Sequence, residues 1–389
     1  ILVKMDKEEY NIMFKEYDKF VNFVEKGETK IGEIIKKYLK KVEKSNLLEK
    51  NVSNICFIYN AIIIEPKDYD KTICNYFDIN SRNITITVLN KYKNYKYEIK
   101  ESIDETSFTS IYKAKILNIN VKEEFVAVKK IFKDKIKKQM KYKYKKSKIN
   151  EEDFKSEIRK FNKEINNMEI CQCENSVKIY DYYDTENEFI IVMELCDKNL
   201  MDVLSEKEHG FNVEEIKSIL LQLNNAFKIM KENKILHRDI KTNNILVKYL
   251  NKEKTKYKVL LCDYGISRQI ASMTRNYMSH VGTHCYTAPE ILNDEIYSYK
   301  CDLWSLGITI YEMYTRELPY EAESEKGLLN QIDEKGQTIF EVIKDDKLKN
   351  LLMKLLEKDQ KKRISWDDYF KDPFFEEKPN RDINSYSIY

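Results

Sequence analysis

The chain has 389 residues, of which 42% are apolar and 12% aromatic, and its 68 basic and 65 acidic residues leave a net charge of +3. This length exceeds the roughly 100–200 residues of one domain. The near balance of charge argues against a chain that coats nucleic acid along its whole length. The aromatic content excludes wholesale disorder, and eight glycines with five prolines exclude a collagen-like chain.

The eight cysteines are scattered along the chain, whereas a disulfide scaffold is small and dense in cysteine. We therefore interpret them as reduced thiols and predict an intracellular, cytoplasmic protein. No apolar run approaches the ~18 residues of a membrane span, so we predict no transmembrane segment.

Residues 1–95 contain no chemical motif, but their patterns are those of a folded module. Apolar residues recur at helical spacing between residues 6 and 44, and Gly27 interrupts them, which predicts two helices. Residues 52–64 and 83–89 carry the β-branched runs and the alternation typical of strands. We predict an extra N-terminal α/β module, helices followed by strands, and hypothesise that a partner binds through it.

A second unit spans residues 96–376 and is followed by a polar tail at 377–389. Its patterns predict strands at 97–103, 111–116 and 124–131, then helices at 212–233, 302–315 and 348–357. Residues 133–148 include nine lysines among sixteen residues, which predicts a solvated loop. The alternative is a contact with nucleic acid or anionic lipid, but the segment carries no recognition motif, so we predict no specific nucleic-acid partner.

Five segments in a fixed order carry the chemical information. Residues 237–244 read His-Arg-Asp-Ile-Lys-Thr-Asn-Asn and match the catalytic-loop pattern H-R-D-L-x-x-x-N. Residues 126–129 (Val-Ala-Val-Lys) precede them, and residues 263–265 (Asp-Tyr-Gly), 282–290 and 302–307 follow. Each segment alone is weak evidence, but the ordered set is specific. Over about 280 of its 389 residues the chain resembles a eukaryotic-type protein kinase.

The resemblance implies an α+β, two-lobed fold, with a small β-rich lobe at about 96–195 and a large helical lobe at about 196–376. It implies ATP bound between the lobes, Mg²⁺ as cofactor and phosphate transfer to a protein substrate. Asp239 is then the residue that accepts the proton of the substrate hydroxyl, and Asn244 and Asp263 hold the metal. Lys241 is typical of serine/threonine kinases, where it contacts the γ-phosphate.

The resemblance also implies a nucleotide pocket. Lys129 binds the α- and β-phosphates and pairs with a glutamate, for which Glu164 fits the family pattern better than Glu157; the alternative for Glu164 is a solvated surface carboxylate. Met193 lies at the back of the pocket, and the backbone from Glu194 to Cys196 faces adenine. The remaining expected contacts with the base are apolar: Ile103, Ile111, Ala127 and Leu246.

Two residues near the motifs have alternative interpretations. We expect His237 to pack in the core and not to act as a general base. We expect Cys262 to be a small buried residue, whereas an accessible thiol of lowered pKa would make it a site for covalent inhibitors.

The phosphate-binding loop departs from the family pattern G-x-G-x-x-G-x-V. Asp104, Thr106 and Thr109 replace all three glycines, while Phe108 and Ile111 fit the pattern. Side chains forced into a glycine-type backbone cost about 1–3 kcal/mol per position. The alternative function is therefore a pseudokinase that acts as a nucleotide-binding or scaffolding protein.

The resemblance also suggests how the chain is regulated. We hypothesise that a phosphate on Ser279 orders the activation segment through Arg238, with Ser272 and Thr274 as the alternative sites. Thr283, next to Gly282, fits serine/threonine specificity. Glu290 and Arg363 are expected to form a buried ion pair.

Overall fold

The computed structural model of the protein describes residues 9–16, 19–41, 55–59, 62–64, 68–77, 83–90, 96–106, 108–117, 124–143, 152, 154, 165, 167–264 and 283–376. These residues belong to two compact units. The first contains the described parts of 1–98, 115–124 and 180–184, and the second those of 99–114, 125–179 and 185–389.

The first unit is built on a mixed five-stranded sheet with the strand order β2-β1-β5-β3-β4. Its strands are β1 Glu9–Glu16, β2 Lys19–Lys26, β3 Ile55–Tyr59, β4 Ile62–Ile63 and β5 Asn83–Asn90. β1 forms an antiparallel hairpin with β2 and pairs in parallel with β5. Helix α1 (Ile31–Lys41) and the short α2 (Ile73–Tyr76) contribute buried side chains to the same core as the strands.

The hairpin at the start of this unit shows that the prediction of a first helix was wrong. Tyr10, Ile12 and Phe14 are buried in β1 while Asn11 between them is exposed, which is the period of two of a strand. The apolar residues of the hairpin also fit helical spacing, and a short segment does not separate the two periods. Pairing with β5 decides in favour of the strand. The second predicted helix is confirmed as α1, so the extra module exists, but its first described element is a strand and not a helix.

A second five-stranded sheet has the strand order β6-β7-β8-β10-β9. Its strands are β6 Tyr97–Glu105, β7 Thr109–Ile116, β8 Phe125–Phe132, β9 Ile179–Asp184 and β10 Glu188–Glu194. β8 and β10 are antiparallel, with Ala127 opposite Met193 and Lys129 opposite Ile191. Ala127 and Lys129 are two residues apart on β8 and therefore share one face of the sheet.

The lysine-rich stretch after β8 is helical as far as residue 143, so the prediction of a loop was wrong there. Helix α3 (Lys133–Lys143) buries Ile136 and Met140, while Lys137 and Lys138 are exposed. The two apolar residues are four apart and lie on one helix face. The prediction of a loop rested on the high lysine content and did not take the spacing of these two apolar residues into account. Residues 144–148 lie outside the described residues.

Helices dominate from residue 200 onward. In the described residues they are, in chain order, α4 Leu200–Glu206, α5 Val213–Glu232, α6 Pro289–Leu292, α7 Lys300–Thr315, α8 Glu325–Lys335, α9 Asp346–Leu355 and α10 Trp366–Tyr369. Asn212 and Glu215 form a capping box that begins α5, with hydrogen bonds of 2.8 and 2.9 Å. α7 is buried from Cys301 to Met313 and forms the centre of this part.

A small sheet of β11 (Lys198–Asn199), β12 (Ile245–Tyr249) and β13 (Tyr257–Leu261), in that order, accompanies the helices. The β-rich part followed by a helical part is the two-lobed architecture that the sequence predicted. No helix among the described residues is long and apolar enough to cross a bilayer. The seven cysteines whose side chains the structure describes are free thiols.

Candidate active site

The loop between α5 and β12 carries the His-Arg-Asp motif and is held by Asp302 from the first turn of α7. The carboxylate of Asp302 accepts hydrogen bonds from the backbone N–H groups of His237 and Arg238, both at 2.7 Å. Arg238 has a φ of +67°, which is uncommon for a residue with a β-carbon. The two hydrogen bonds stabilise this conformation, so the buried helix fixes the loop. The sequence-based prediction missed this role, although an acidic residue in the first turn of a largely apolar helix is a signal for it.

Two polar side chains of this loop converge on Asp239. Nδ2 of Asn244 donates to both Oδ2 and the backbone carbonyl of Asp239, each at 2.7 Å. Nζ of Lys241 lies 3.1 Å from the same Oδ2. The 3₁₀ turn Thr242–Asn244 brings Asn244 back to Asp239 within five residues. The structure therefore brings together the three residues that the motif predicted as catalytic.

Lys129 and Asp263 form a second polar pair, with Nζ of Lys129 2.7 Å from Oδ1 of Asp263. Burial acts to raise the pKa of Asp263, but the charge and hydrogen bond of Lys129, together with the charge of Lys241, hold this pKa below its ordinary value. The backbone N–H of Cys262 donates to the carbonyl of Asn244 at 3.0 Å. This bond ties the end of β13 to the catalytic loop, so the two polar pairs belong to one site.

His237 is fully buried between the loop and the end of β13. Its Nδ1 accepts a hydrogen bond from the backbone N–H of Asp239 at 3.3 Å, so Nε2 carries the proton and donates to the carbonyl of Cys262 at 2.9 Å. Burial lowers the pKa of His237, which favours the neutral ring. Both ring nitrogens are engaged by backbone, which agrees with a structural role.

An apolar cluster adjoins these polar groups through Ala127 on β8 and Cys262 next to Asp263. Its buried members are Ala127, Val177, Met193, Leu260 and Cys262, and its partly exposed members are Ile111, Leu195, Cys196 and Leu246. Five residues predicted for the adenine pocket thus meet in one place: Ile111, Ala127, Met193, Cys196 and Leu246. Ile103 lies outside the cluster and is 51% exposed. Leu195 lies within the stretch from Glu194 to Cys196 that the resemblance assigned to adenine. The sequence missed Val177 and Leu260, although Leu260 lies three residues before the Asp-Tyr-Gly motif.

Cys262, a member of this cluster, and Glu194, next to Met193 in the chain, bear on the expectations from the sequence. Cys262 is buried, and burial raises the pKa of its thiol well above the usual value, which opposes the reactive thiol that a covalent inhibitor needs. Glu194 is nearly buried, and its Oε1 lies 2.6 Å from Nζ of Lys248. The role of the Glu194 backbone in binding adenine stays a prediction.

The hairpin between β6 and β7 contains the three positions at which kinases carry glycine. The non-glycine residues with positive φ in the described part of the chain do not include Asp104, Thr106 or Thr109. The strain expected for side chains in a glycine-type backbone therefore does not arise at these positions. The carboxylate of Asp104 accepts the backbone N–H of Glu105 at 2.9 Å. The three substituted positions are thus accommodated without a left-handed backbone conformation.

Tyr264 occupies the position of phenylalanine in the family motif Asp-Phe-Gly. It is 1% exposed, its ring centroid lies 4.8 Å from that of His237, and its hydroxyl has no hydrogen-bond partner among the described residues. Burial raises the pKa of this hydroxyl well above its usual value. A buried hydroxyl without a partner destabilises the fold.

We expect Tyr264→Phe to raise the free energy of unfolding by about 1–2 kcal/mol, because it removes this hydroxyl. Tyr286→Phe is the matched control, since the Tyr286 hydroxyl donates to the buried Glu312 carboxylate at 2.6 Å. That control is expected to lose about 1.5–3 kcal/mol. Urea denaturation measures both. A loss of stability in Tyr264→Phe as large as that of the control would contradict the prediction.

Several predicted residues lie outside the described part of the chain, namely Glu157, Glu164, Ser272, Thr274 and Ser279. The guanidinium of Arg238 lies 5.9 Å from the centre of the Tyr297 ring. Thr283 begins the 3₁₀ helix Thr283–Tyr286.

The predicted ion pair is confirmed: Arg363 donates to both carboxylate oxygens of Glu290 at 2.7 and 2.9 Å.

Comparison with known proteins agrees with this geometry. A family model described as "Protein kinase domain" matches residues 97–375. Human serine/threonine-protein kinase ULK1 is 29% identical over 226 residues, which cover 56% of this chain and 21% of that protein. Serine/threonine-protein kinase atg1 of Dictyostelium discoideum is 32% identical over 213 residues, covering 54% of this chain and 31% of that protein.

Serine/threonine-protein kinase 36 of Pongo abelii is 29% identical over 279 residues, which cover 72% of this chain and 19% of that protein. This chain therefore spans between about a fifth and a third of the length of these relatives.

Proposed function

Because this chain belongs to the protein kinase family, we propose that it transfers the γ-phosphate of ATP to serine and threonine hydroxyls of protein substrates. The observation that carries the proposal is the pairing of Lys129 with Asp263 across 134 residues of sequence, next to the Asp239–Asn244 pair. An ammonium group, two carboxylates and a carboxamide in one site are the groups that phosphoryl transfer requires.

The side chains of this site fit a magnesium nucleotide. Nδ2 of Asn244 makes both hydrogen bonds to Asp239, which leaves its Oδ1 for a metal, and Asp263 supplies a carboxylate. Mg²⁺ prefers such hard oxygen ligands. Lys129 supplies positive charge for the α- and β-phosphates, and the apolar cluster is suited to the adenine ring. When bound, ATP would supply the phosphoryl group, and Mg²⁺ would neutralise the negative charge of its phosphates.

Asp239 is the residue that we propose to orient the substrate hydroxyl and accept its proton. Its Oδ2 accepts a hydrogen bond from Nδ2 of Asn244 and forms an ion pair with Nζ of Lys241. Its Oδ1 accepts no hydrogen bond from the residues that the structure describes. The carboxylate is thus fixed on one side and available on the other. Phosphoryl transfer depends on positioning, and this arrangement holds Oδ1 of Asp239 ready to accept the proton of the attacking substrate hydroxyl.

Serine/threonine specificity rests on two observations. Lys241 follows Asp239 by two residues, the arrangement of serine/threonine kinases, and its ammonium group lies beside the Asp239 carboxylate. The relatives named above are serine/threonine-protein kinases by name. We also propose an intracellular location, because the described thiols are free.

The test is transfer of radiolabelled γ-phosphate from ATP to a mixture of proteins, followed by phosphoamino-acid analysis. We expect labelled phosphoserine and phosphothreonine with Mg²⁺, and none when EDTA removes the metal. Phosphotyrosine alone would contradict the specificity. Binding of ATP by a folded chain that transfers no phosphate would contradict the enzyme and favour a pseudokinase.

A further inference from the structure

The side chain of Thr106 closes the tip of the β6–β7 hairpin. Its Oγ1 accepts hydrogen bonds from the backbone N–H of Thr109 at 3.1 Å and from that of Phe108 at 3.4 Å. It also shares a hydrogen bond of 2.8 Å with Oγ1 of Thr109. The backbone N–H of Thr106 donates to the carbonyl of Thr109 at 2.8 Å. One hydroxyl oxygen therefore occupies two successive backbone donors.

The same hairpin borders the proposed nucleotide site. Ile111, two residues beyond Thr109 on β7, packs against the apolar cluster that contains Ala127 and Met193. The tip is attached to the end of β8, because the carbonyl of Phe108 accepts the backbone N–H of Phe132 at 3.0 Å. Successive backbone N–H groups form binding sites for anions, and the corresponding loop of kinases covers the phosphates. The two donors engaged by Thr106 are thus donors suited to a phosphate.

We infer that the Thr106 hydroxyl takes the place of a phosphate oxygen at the hairpin tip and weakens the binding of nucleotide phosphates. This inference rests on the proposed function. A phosphate oxygen is charged and accepts hydrogen bonds more strongly than a hydroxyl, so it displaces Thr106. The gain in binding free energy is nevertheless smaller than it would be for N–H groups that face water. The N–H groups of Phe108 and Thr109 exchange the Thr106 hydroxyl for phosphate, and not water for phosphate. The nucleoside part of the ligand does not sense this exchange.

Binding of ADP and of adenosine to the full chain tests the inference. Thr106→Val keeps the shape and the β-branch of the side chain and removes the acceptor, whereas Thr106→Ser keeps the acceptor. Calorimetry with Mg²⁺ gives the Kd of each ligand for each chain. We expect Thr106→Val to bind ADP about three- to tenfold more tightly, the size expected for one net hydrogen bond, with adenosine affinity unchanged. Thr106→Ser is expected to match the wild type for both ligands.

The ratio of the two Kd values separates this role from a structural one. A general change in the hairpin alters adenosine and ADP affinity together, and Thr106→Ala repeats the test in case valine perturbs the strand. An unchanged ratio in both variants, or weaker ADP binding, would overturn the inference, and the hydroxyl would then be a support that preorganises the hairpin. If the folded wild type binds neither ligand, both the proposed function and this inference fail. Binding of both ligands with an unchanged ratio refutes only the inference.

Discussion

Replacing Asp239 with asparagine is expected to lower the rate of phosphate transfer by about 10²- to 10⁴-fold, the usual contribution of an acid–base group. Asparagine has nearly the same shape, so its amide oxygen can still meet Nδ2 of Asn244 and Nζ of Lys241, which lie 2.7 and 3.1 Å from Oδ2 of Asp239. The other position of the side chain becomes an NH₂ group, which cannot accept a proton. The kcat at saturating ATP, measured with radiolabelled phosphate, gives the loss.

A matched control makes the same chemical change outside the site. Asp367 is 62% exposed in its ion pair with Lys231, and Asp367→Asn is expected to leave kcat unchanged. The affinity of Asp239→Asn for ATP is expected to remain close to that of the wild type, because Lys129, Asp263 and the apolar cluster are intact. A kcat close to that of the wild type in Asp239→Asn would remove Asp239 from the role of proton acceptor.

Arg363→Met is expected to lower the free energy of unfolding by about 3–5 kcal/mol, the usual loss when one member of a buried ion pair is removed. Both side chains of the Arg363–Glu290 pair are nearly inaccessible, with 0% and 2% exposed. Arg363 also donates to the carbonyls of Glu357 and Lys300 and lies 5.1 Å from the centre of the Trp304 ring. Methionine fills part of the space but leaves the Glu290 carboxylate buried without its partner. Urea denaturation measures the loss, which is large against a total of about 5–15 kcal/mol.

Two further variants separate the buried charge from the lost packing. Glu290→Leu combined with Arg363→Met is expected to recover part of the stability, because no isolated charge remains. Lys231→Met breaks an exposed ion pair with Asp367, and we expect it to cost less than about 1 kcal/mol. Equal effects of Lys231→Met and Arg363→Met would contradict the importance of burial.

The chemistry of the site was predictable because its residues lie in short motifs. Asp239 and Asn244 are only five residues apart, so a short loop is enough to bring their side chains within hydrogen-bonding distance. Lys129 and Asp263 are 134 residues apart, and no local rule pairs them. Only the resemblance to kinases predicted that they meet. The boundary of the kinase domain at residue 95 stays a prediction, beside a family match that begins at residue 97.

The features that the sequence did not reveal depend on tertiary contacts. The apolar spacing of the β1 segment fits a strand and a helix equally well, and only its pairing with β5 distinguishes the two. In α3, two buried residues among many lysines determine the helix. In the β6–β7 hairpin, Oγ1 of Thr106 accepts hydrogen bonds from the backbone, and Asp104, Thr106 and Thr109 adopt no positive φ, so the expected strain does not arise at these positions. Propensity and composition describe single residues and not these contacts.

The claim that Lys129, Asp239, Asn244 and Asp263 form one magnesium–nucleotide site is tested most directly by titrating ATP into the wild type and into Asp263→Asn. Each titration is performed once with Mg²⁺ and once with EDTA. We expect Mg²⁺ to strengthen ATP binding in the wild type, and Asp263→Asn to lose this dependence while it remains folded. Equal ATP affinity in Mg²⁺ and in EDTA for the wild type, or full magnesium dependence in Asp263→Asn, would contradict the claim.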